Sequence, residues 1–126
     1  MGGRGASSGI INRLPNYKNA VISQRKIGNY LLNPTKSNGK SSFFNEIGYN
    51  MKNAKRLEQD IRKGLENNKA MSYHEDKFGN KSFDVNIPLG IGKKVMVTTA
   101  WRIDKGSTAP RFITAYPRDK RRKKHV

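Results

Sequence analysis

Thr114 and Tyr116 stand two residues apart in the segment RFITAYP, Arg111 to Pro117. In an extended chain that spacing puts both side chains on one face, about 7 Å apart, a span that suits one phosphate or nucleotide. Strict alternation groups Phe112 with them and sends Arg111, Ile113 and Ala115 to the opposite face. A tyrosine so placed can stack on a base or donate to a phosphate, although Thr and Tyr are also ordinary strand formers. His74, in the segment HEDK, is the one histidine of the chain's middle, and imidazole is the side chain best suited to proton transfer near neutral pH. A lone histidine among Glu75, Asp76 and Lys77 fits a solvated bystander equally well.

Cleavage of RNA is the chemistry that these residue types can perform together. The substrate brings its own nucleophile, the ribose 2′-OH, so the protein must supply only a proton acceptor, a proton donor and cations for the crowded phosphate. DNA lacks that internal nucleophile and asks for a metal centre. HEDK offers His74, Glu75 and Asp76, but strand neighbours point to opposite faces, which leaves His74 with Asp76 and, at best, Asp84. A resident metal or other cofactor is therefore not expected.

Polyanion binding follows from charge. Lys and Arg number 26 against 9 Asp and Glu, a formal net charge of +17, and an excess of this size repels itself unless a polyanion neutralises it. Nucleic acid is the first candidate partner, RNA before DNA, and an anionic membrane surface the second. There is no cysteine, which excludes disulfides, thiol nucleophiles and zinc-thiolate sites. No apolar run approaches a membrane span and the N-terminus lacks a secretory signal, so a cytoplasmic setting is expected.

The segment SNGKSS imitates a phosphate-binding P-loop, but Pro34 occupies the position of its first glycine, and the segment follows a helix instead of a strand. Nucleotide hydrolysis is thereby disfavoured. A milder role remains, with Lys36, Lys40, Ser41 and Ser42 opening a short helix where backbone N–H groups and ammonium groups favour a phosphate.

The elements that must position these residues read from the periodicity. Residues 1–10 are Gly/Ser-rich and expected to be flexible, residues 11–117 form one domain, and residues 118–126 form a basic tail. Ala20 to Ser23 can make a short strand whose Ser23 caps a helix over QRKIGNYLLN, with Ile27, Tyr30 and Leu31 on one face and Asn33-Pro34 ending it. Phe43, Phe44 and Ile47 make a helical turn closed by Gly48, and Asn53 caps the helix AKRLEQDIRKGLEN, which lines up Leu57, Ile61 and Leu65. The period then changes to two. Strands are expected in AMSYHEDK, SFDVNIP, KKVMVTTAWRID and RFITAYP, separated by the turns FGNK, LGIG and KGSTAP. This is an α+β fold, N-terminal helices packed on a three- to four-stranded antiparallel sheet.

NYLLNPTKSNGKSSFFNEIGYN, followed by TTAWRID and PRFITAYP, resembles a small domain of phage and polymorphic-toxin proteins grouped with the barnase/EndoU/colicin/RelE-like nucleases. The resemblance covers about Ile11 to Pro117. It implies helices on an antiparallel sheet and metal-independent ribonuclease action as a toxin or effector, with an immunity protein as a candidate partner. It also implies an active-site role for Thr114 and Tyr116, phosphate contacts for Lys36 and Lys40, and proton transfer by a histidine, for which His74 is the match. Arg111 is a further phosphate-binding candidate. Separately, GGRGASSG resembles the start of small proteins encoded near phage head genes. The rival reading is a non-catalytic basic nucleic-acid-binding protein of a phage or mobile element.

Overall fold

The computed structural model describes residues 13–33 and 40–119. The glycine-rich N-terminus, Lys36, the first half of the SNGKSS segment and the end of the basic tail with His125 lie outside the described residues. The fold is α+β. Strands β1 (Ala70–Glu75), β2 (Lys81–Leu89), β3 (Val95–Ile103) and β4 (Arg111–Pro117) form one antiparallel sheet in sequential order, the simplest meander. Before them come a π-helical segment (Arg25–Leu31) and helices α1 (Lys40–Glu46) and α2 (Ala54–Asn67).

Alternation built the middle of the sheet. Phe83, Val85, Ile87 and Leu89 of β2 pair with Trp101, Thr99, Val97 and Val95 of β3 and face the core together. Thr99 is tolerated there because its hydroxyl donates to the Val85 carbonyl at 2.7 Å and accepts from Trp101 Nε1 at 2.8 Å, so no buried polar atom of the pair is wasted. Helix α2 covers this face with Leu57, Ile61 and Leu65, each fully buried. Gly64 lets the helix come close: a Cβ at that position would sit 2.2 Å from Ile87 Cγ2. A mid-helix glycine costs about 1 kcal/mol relative to alanine, and here close packing of α2 on β2 explains it.

The N-terminal segment is held from two sides. Arg62 of α2 donates to the Ala20 carbonyl at 2.8 Å, and Gln24 donates to Glu58. On the sheet side, Val21 N–H donates to the Pro110 carbonyl (2.8 Å) and Phe112 N–H to the Val21 carbonyl (2.9 Å). The short strand expected over Ala20–Ser23 is thus a single parallel bridge between Val21 and Arg111. Ser23 Oγ accepts from the Arg25 N–H at 3.1 Å, as a helix-opening serine should.

Two local details depart from the sequence reading. The segment after Ser23 is wound as a π-helix, with Leu32 N–H donating to the carbonyl of Ile27, five residues back. The wider turn buries Ile27, Leu31 and Leu32 completely and leaves Tyr30 only half-buried, against the edge of the core. Asn53 is the residue before α2, but its side chain does not cap that helix. Instead Asn50 and Asn53 form a reciprocal capping box around the turn Met51–Asn53, which runs directly into α2.

Candidate nucleic-acid interface

Strand β4 contains a β-bulge that rearranges the faces expected from strict alternation. Thr114 pairs with Ala100 and Phe112 with Trp101, so Ile113 is the extra residue. Phe112 therefore turns inward beside Trp101, their rings edge-to-face at 5.4 Å, and Ala115 is inward as well. Thr114 and Tyr116 share the outer face, as the spacing required. Phe112 does not share it, and Arg111, opposite Arg102, does. The physical reason is that one unpaired residue shifts the two-residue period by one, exchanging the faces of everything on its N-terminal side.

Thr114 is met by Lys40, from the first turn of α1. Lys40 Nζ donates to Thr114 Oγ1 at 3.0 Å and lies 3.5 Å from Tyr30 Oη, with the ammonium 5.5 Å from the centre of the Tyr30 ring. No carboxylate among the described residues forms an ion pair with Lys40. An ammonium group only donates, so where Thr114 and Tyr30 face Lys40 they must accept, and their own O–H protons are left to point elsewhere. The cluster thus presents donors and positive charge together, the complement of a phosphate oxygen.

Beside the cluster opens a cleft of about 330 Å³ lined by Val21, Ser23, Arg25, Lys26, Tyr30, Arg111 and Phe112. Lys26 Nζ lies 5.9 Å from the centre of the Tyr30 ring, so that ring has a cation-π contact in the cleft as well as one with Lys40. Arg111 borders the cleft with part of its charge already engaged: Nε and Nη2 lie 2.7 and 3.3 Å from the Asp104 carboxylate. That contact, reinforced by Arg102, holds the Asp104 carboxyl below the usual carboxylate range. Arg25 and Lys26 form no ion pair among the described residues.

The other expected site residues stand as follows. Tyr116 lies opposite Thr98 on the outer face, two residues beyond Thr114. His74 is exposed on β1, opposite Ser82, and its register row points to the same face as Thr114. The two strands are opposite edges of the sheet, however, and three inter-strand spacings put them about 14 Å apart. Proton transfer within one site needs heavy atoms within about 3 Å or one bridging water, so His74 and Thr114 do not form a shared acid–base pair. No group of three or more metal-ligating side chains occurs among the described residues, and none of the described helices is long and apolar enough to cross a membrane.

Tyr30, Arg25 and Lys26 line the cleft without being candidates from the sequence. Periodicity assigned Tyr30 to the core with Ile27 and Leu31. The available signal was a basic pair four and five residues before an aromatic, the pattern of a charged surface with a stacking ring.

An α+β domain with a cationic, aromatic-lined cleft along one sheet edge is the class that fold and site define. The chain belongs to the family described as Domain of unknown function (DUF6883), whose model matches residues 13–119. No curated protein and no solved structure matches at a significant level.

Proposed function

We propose that this domain is a metal-independent ribonuclease-like toxin or effector, with the scissile phosphate of RNA seated on Lys40, Thr114 and the Tyr30 hydroxyl. The observation that carries the reading is the contact between Lys40 Nζ and Thr114 Oγ1 at 3.0 Å, with Tyr30 Oη alongside. Lys40 would neutralise the charge that builds on the phosphate as the 2′-OH attacks and would deliver a proton to the departing 5′-oxygen, while the 2′-OH proton passes to solvent water as the 2′-oxygen bonds to phosphorus and the phosphorus–5′-oxygen bond breaks. Thr114 and Tyr30 would hold the non-bridging oxygens through the O–H protons that Lys40 leaves unengaged. The net charge of +17 supports RNA as the polyanion that reaches this site. Its own 2′-OH is the nucleophile that such a site, with no metal-ligating group among its residues, would require.

Incubating the protein with total RNA in EDTA tests this directly. Wild type should cut and leave 2′,3′-cyclic phosphate ends, the product of 2′-OH attack, while Lys40→Ala and Thr114→Ala should not. The rival reading, a non-catalytic nucleic-acid-binding protein of a phage or mobile element, draws on the separation of His74 from Thr114. It predicts tight, salt-sensitive RNA binding with no cleavage by any variant.

A further inference from the structure

The cleft next to the Lys40 cluster differs from it in chemistry. Its walls are a half-buried aromatic ring, Tyr30, and the apolar side chains of Val21 and Phe112, while Arg25, Lys26 and Arg111 supply its charge. A phosphate alone would gain nothing from the apolar side, and a lipid chain would meet cations. A flat aromatic group attached to a phosphate satisfies both. The volume, about 330 Å³, is at the small end of ligand sites and suits one nucleotide, not a double helix.

We propose that the cleft is a nucleobase subsite that takes one unpaired base of a single-stranded nucleic acid, stacked on Tyr30, with Arg25 and Lys26 on the adjoining phosphates. The inference rests on the phosphodiester reading of the neighbouring cluster and adds the substrate class to it: single strands or loops, with duplex excluded. Stacking is open to every base because each has a π-face, so the subsite selects strandedness more than sequence. Lys26 and Lys40 lie 5.9 and 5.5 Å from the centre of the Tyr30 ring, drawn by its electron-rich face, and Lys26 would leave the ring for a phosphate when a base stacks there. The bridge between Val21 and Arg111 fixes the two walls relative to each other, so the cleft is preformed.

A DNA probe separates this inference from the ribonuclease reading, because DNA has no 2′-OH and stays intact. Binding of a labelled thymidine oligonucleotide is measured by anisotropy beside a DNA hairpin of equal phosphate count. Wild type should bind the single strand roughly tenfold tighter or more than the hairpin. Tyr30→Phe, which keeps the ring and loses only the hydroxyl placed on a phosphate oxygen, should weaken binding of the oligonucleotide clearly less than Tyr30→Leu does. Tyr30→Leu, which keeps the apolar packing and loses the ring, should lose about tenfold or more. Equal affinity for oligonucleotide and hairpin, or a Tyr30→Leu protein that binds like wild type, would overturn the subsite. Absence of RNA cleavage combined with loss of binding in Tyr30→Leu would remove the ribonuclease reading and leave the subsite standing.

Discussion

Lys40 Nζ and Thr114 Oγ1 are 3.0 Å apart across 74 positions of sequence, joining the first turn of α1 to the last strand of the sheet. Helix α2 presses on β2 through Gly64, the N-terminal segment is pinned to α2 and to β4, and the bulge at Ile113 turns Phe112 inward while Thr114 keeps the outer face.

Gly64 tests the scaffold. Gly64→Ala gains helix propensity, yet its methyl group would collide with Ile87 Cγ2 at 2.2 Å and Cδ1 at 2.9 Å. A net loss of about 1–3 kcal/mol is expected from overpacking, measured by urea denaturation. In the Ile87→Ala background the same substitution should cost clearly less, because the colliding atoms are gone. Equal costs in both backgrounds would deny the close approach.

Tyr49 carries a pH dependence. Burial, followed by the hydrogen bond its hydroxyl donates to Asp60 at 2.6 Å, pushes the phenol well above its ordinary range. The folded value exceeds the unfolded one, near 10, so the folded state holds this proton more tightly. The contribution is fully present below about pH 10 and is lost as pH rises from there through the folded value. Tyr49→Phe also leaves the Gly90 N–H without its 3.1 Å acceptor. It should cost about 1–3 kcal/mol at neutral pH and flatten the alkaline loss of stability. A variant with the same alkaline slope as wild type would contradict this.

The bulge makes an unusual deletion informative. With Ile113 removed, Phe112 can still face Trp101 and Thr114 can still face Ala100, since those pairs skip residue 113. The deleted protein should unfold cooperatively and keep Trp101 in its buried, blue-shifted emission state. In a β4 without a bulge the deletion would remove a paired residue and reverse the faces on one side of the gap, disrupting the packing on Trp101, and the tryptophan emission would shift to the red.

His74 serves as the internal control. From β1, about 14 Å across the sheet, it cannot share a phosphate with Thr114, so His74→Ala should leave the rate of RNA cleavage unchanged. A cleavage rate that falls in His74→Ala would place the histidine back in the reaction.

The α+β class and the order of strands were legible because alternation and turn residues agree locally. RFITAYP is β4 from end to end, and Phe83, Val85 and Ile87 face the core as their spacing required. Three features were not legible, for different reasons. A bulge is a pairing property: nothing in RFITAYP alone reveals that Ile113 has no partner on β3. The π-helix arises from how Ile27, Leu31 and Leu32 fit the core, and it is the tighter α-helical spacing that made Tyr30 look like a core residue. Asn53 met the local rule for a cap, but Asn50 made the better one by accepting from the Lys52 and Asn53 N–H groups. Of the site, Lys40 and Thr114 were chosen separately, and only the fold shows that they touch.

The central claim stands on one measurement, cleavage of RNA in EDTA by wild type, Lys40→Ala and Thr114→Ala, each first shown to be folded by circular dichroism. Wild type is predicted to produce fragments with 2′,3′-cyclic phosphate ends, and each variant to be slower by about a hundredfold or more, the usual effect of removing a donor to the reacting centre. No cleavage by wild type, or equal rates in all three proteins, would contradict the assignment of the Lys40–Thr114 contact to catalysis.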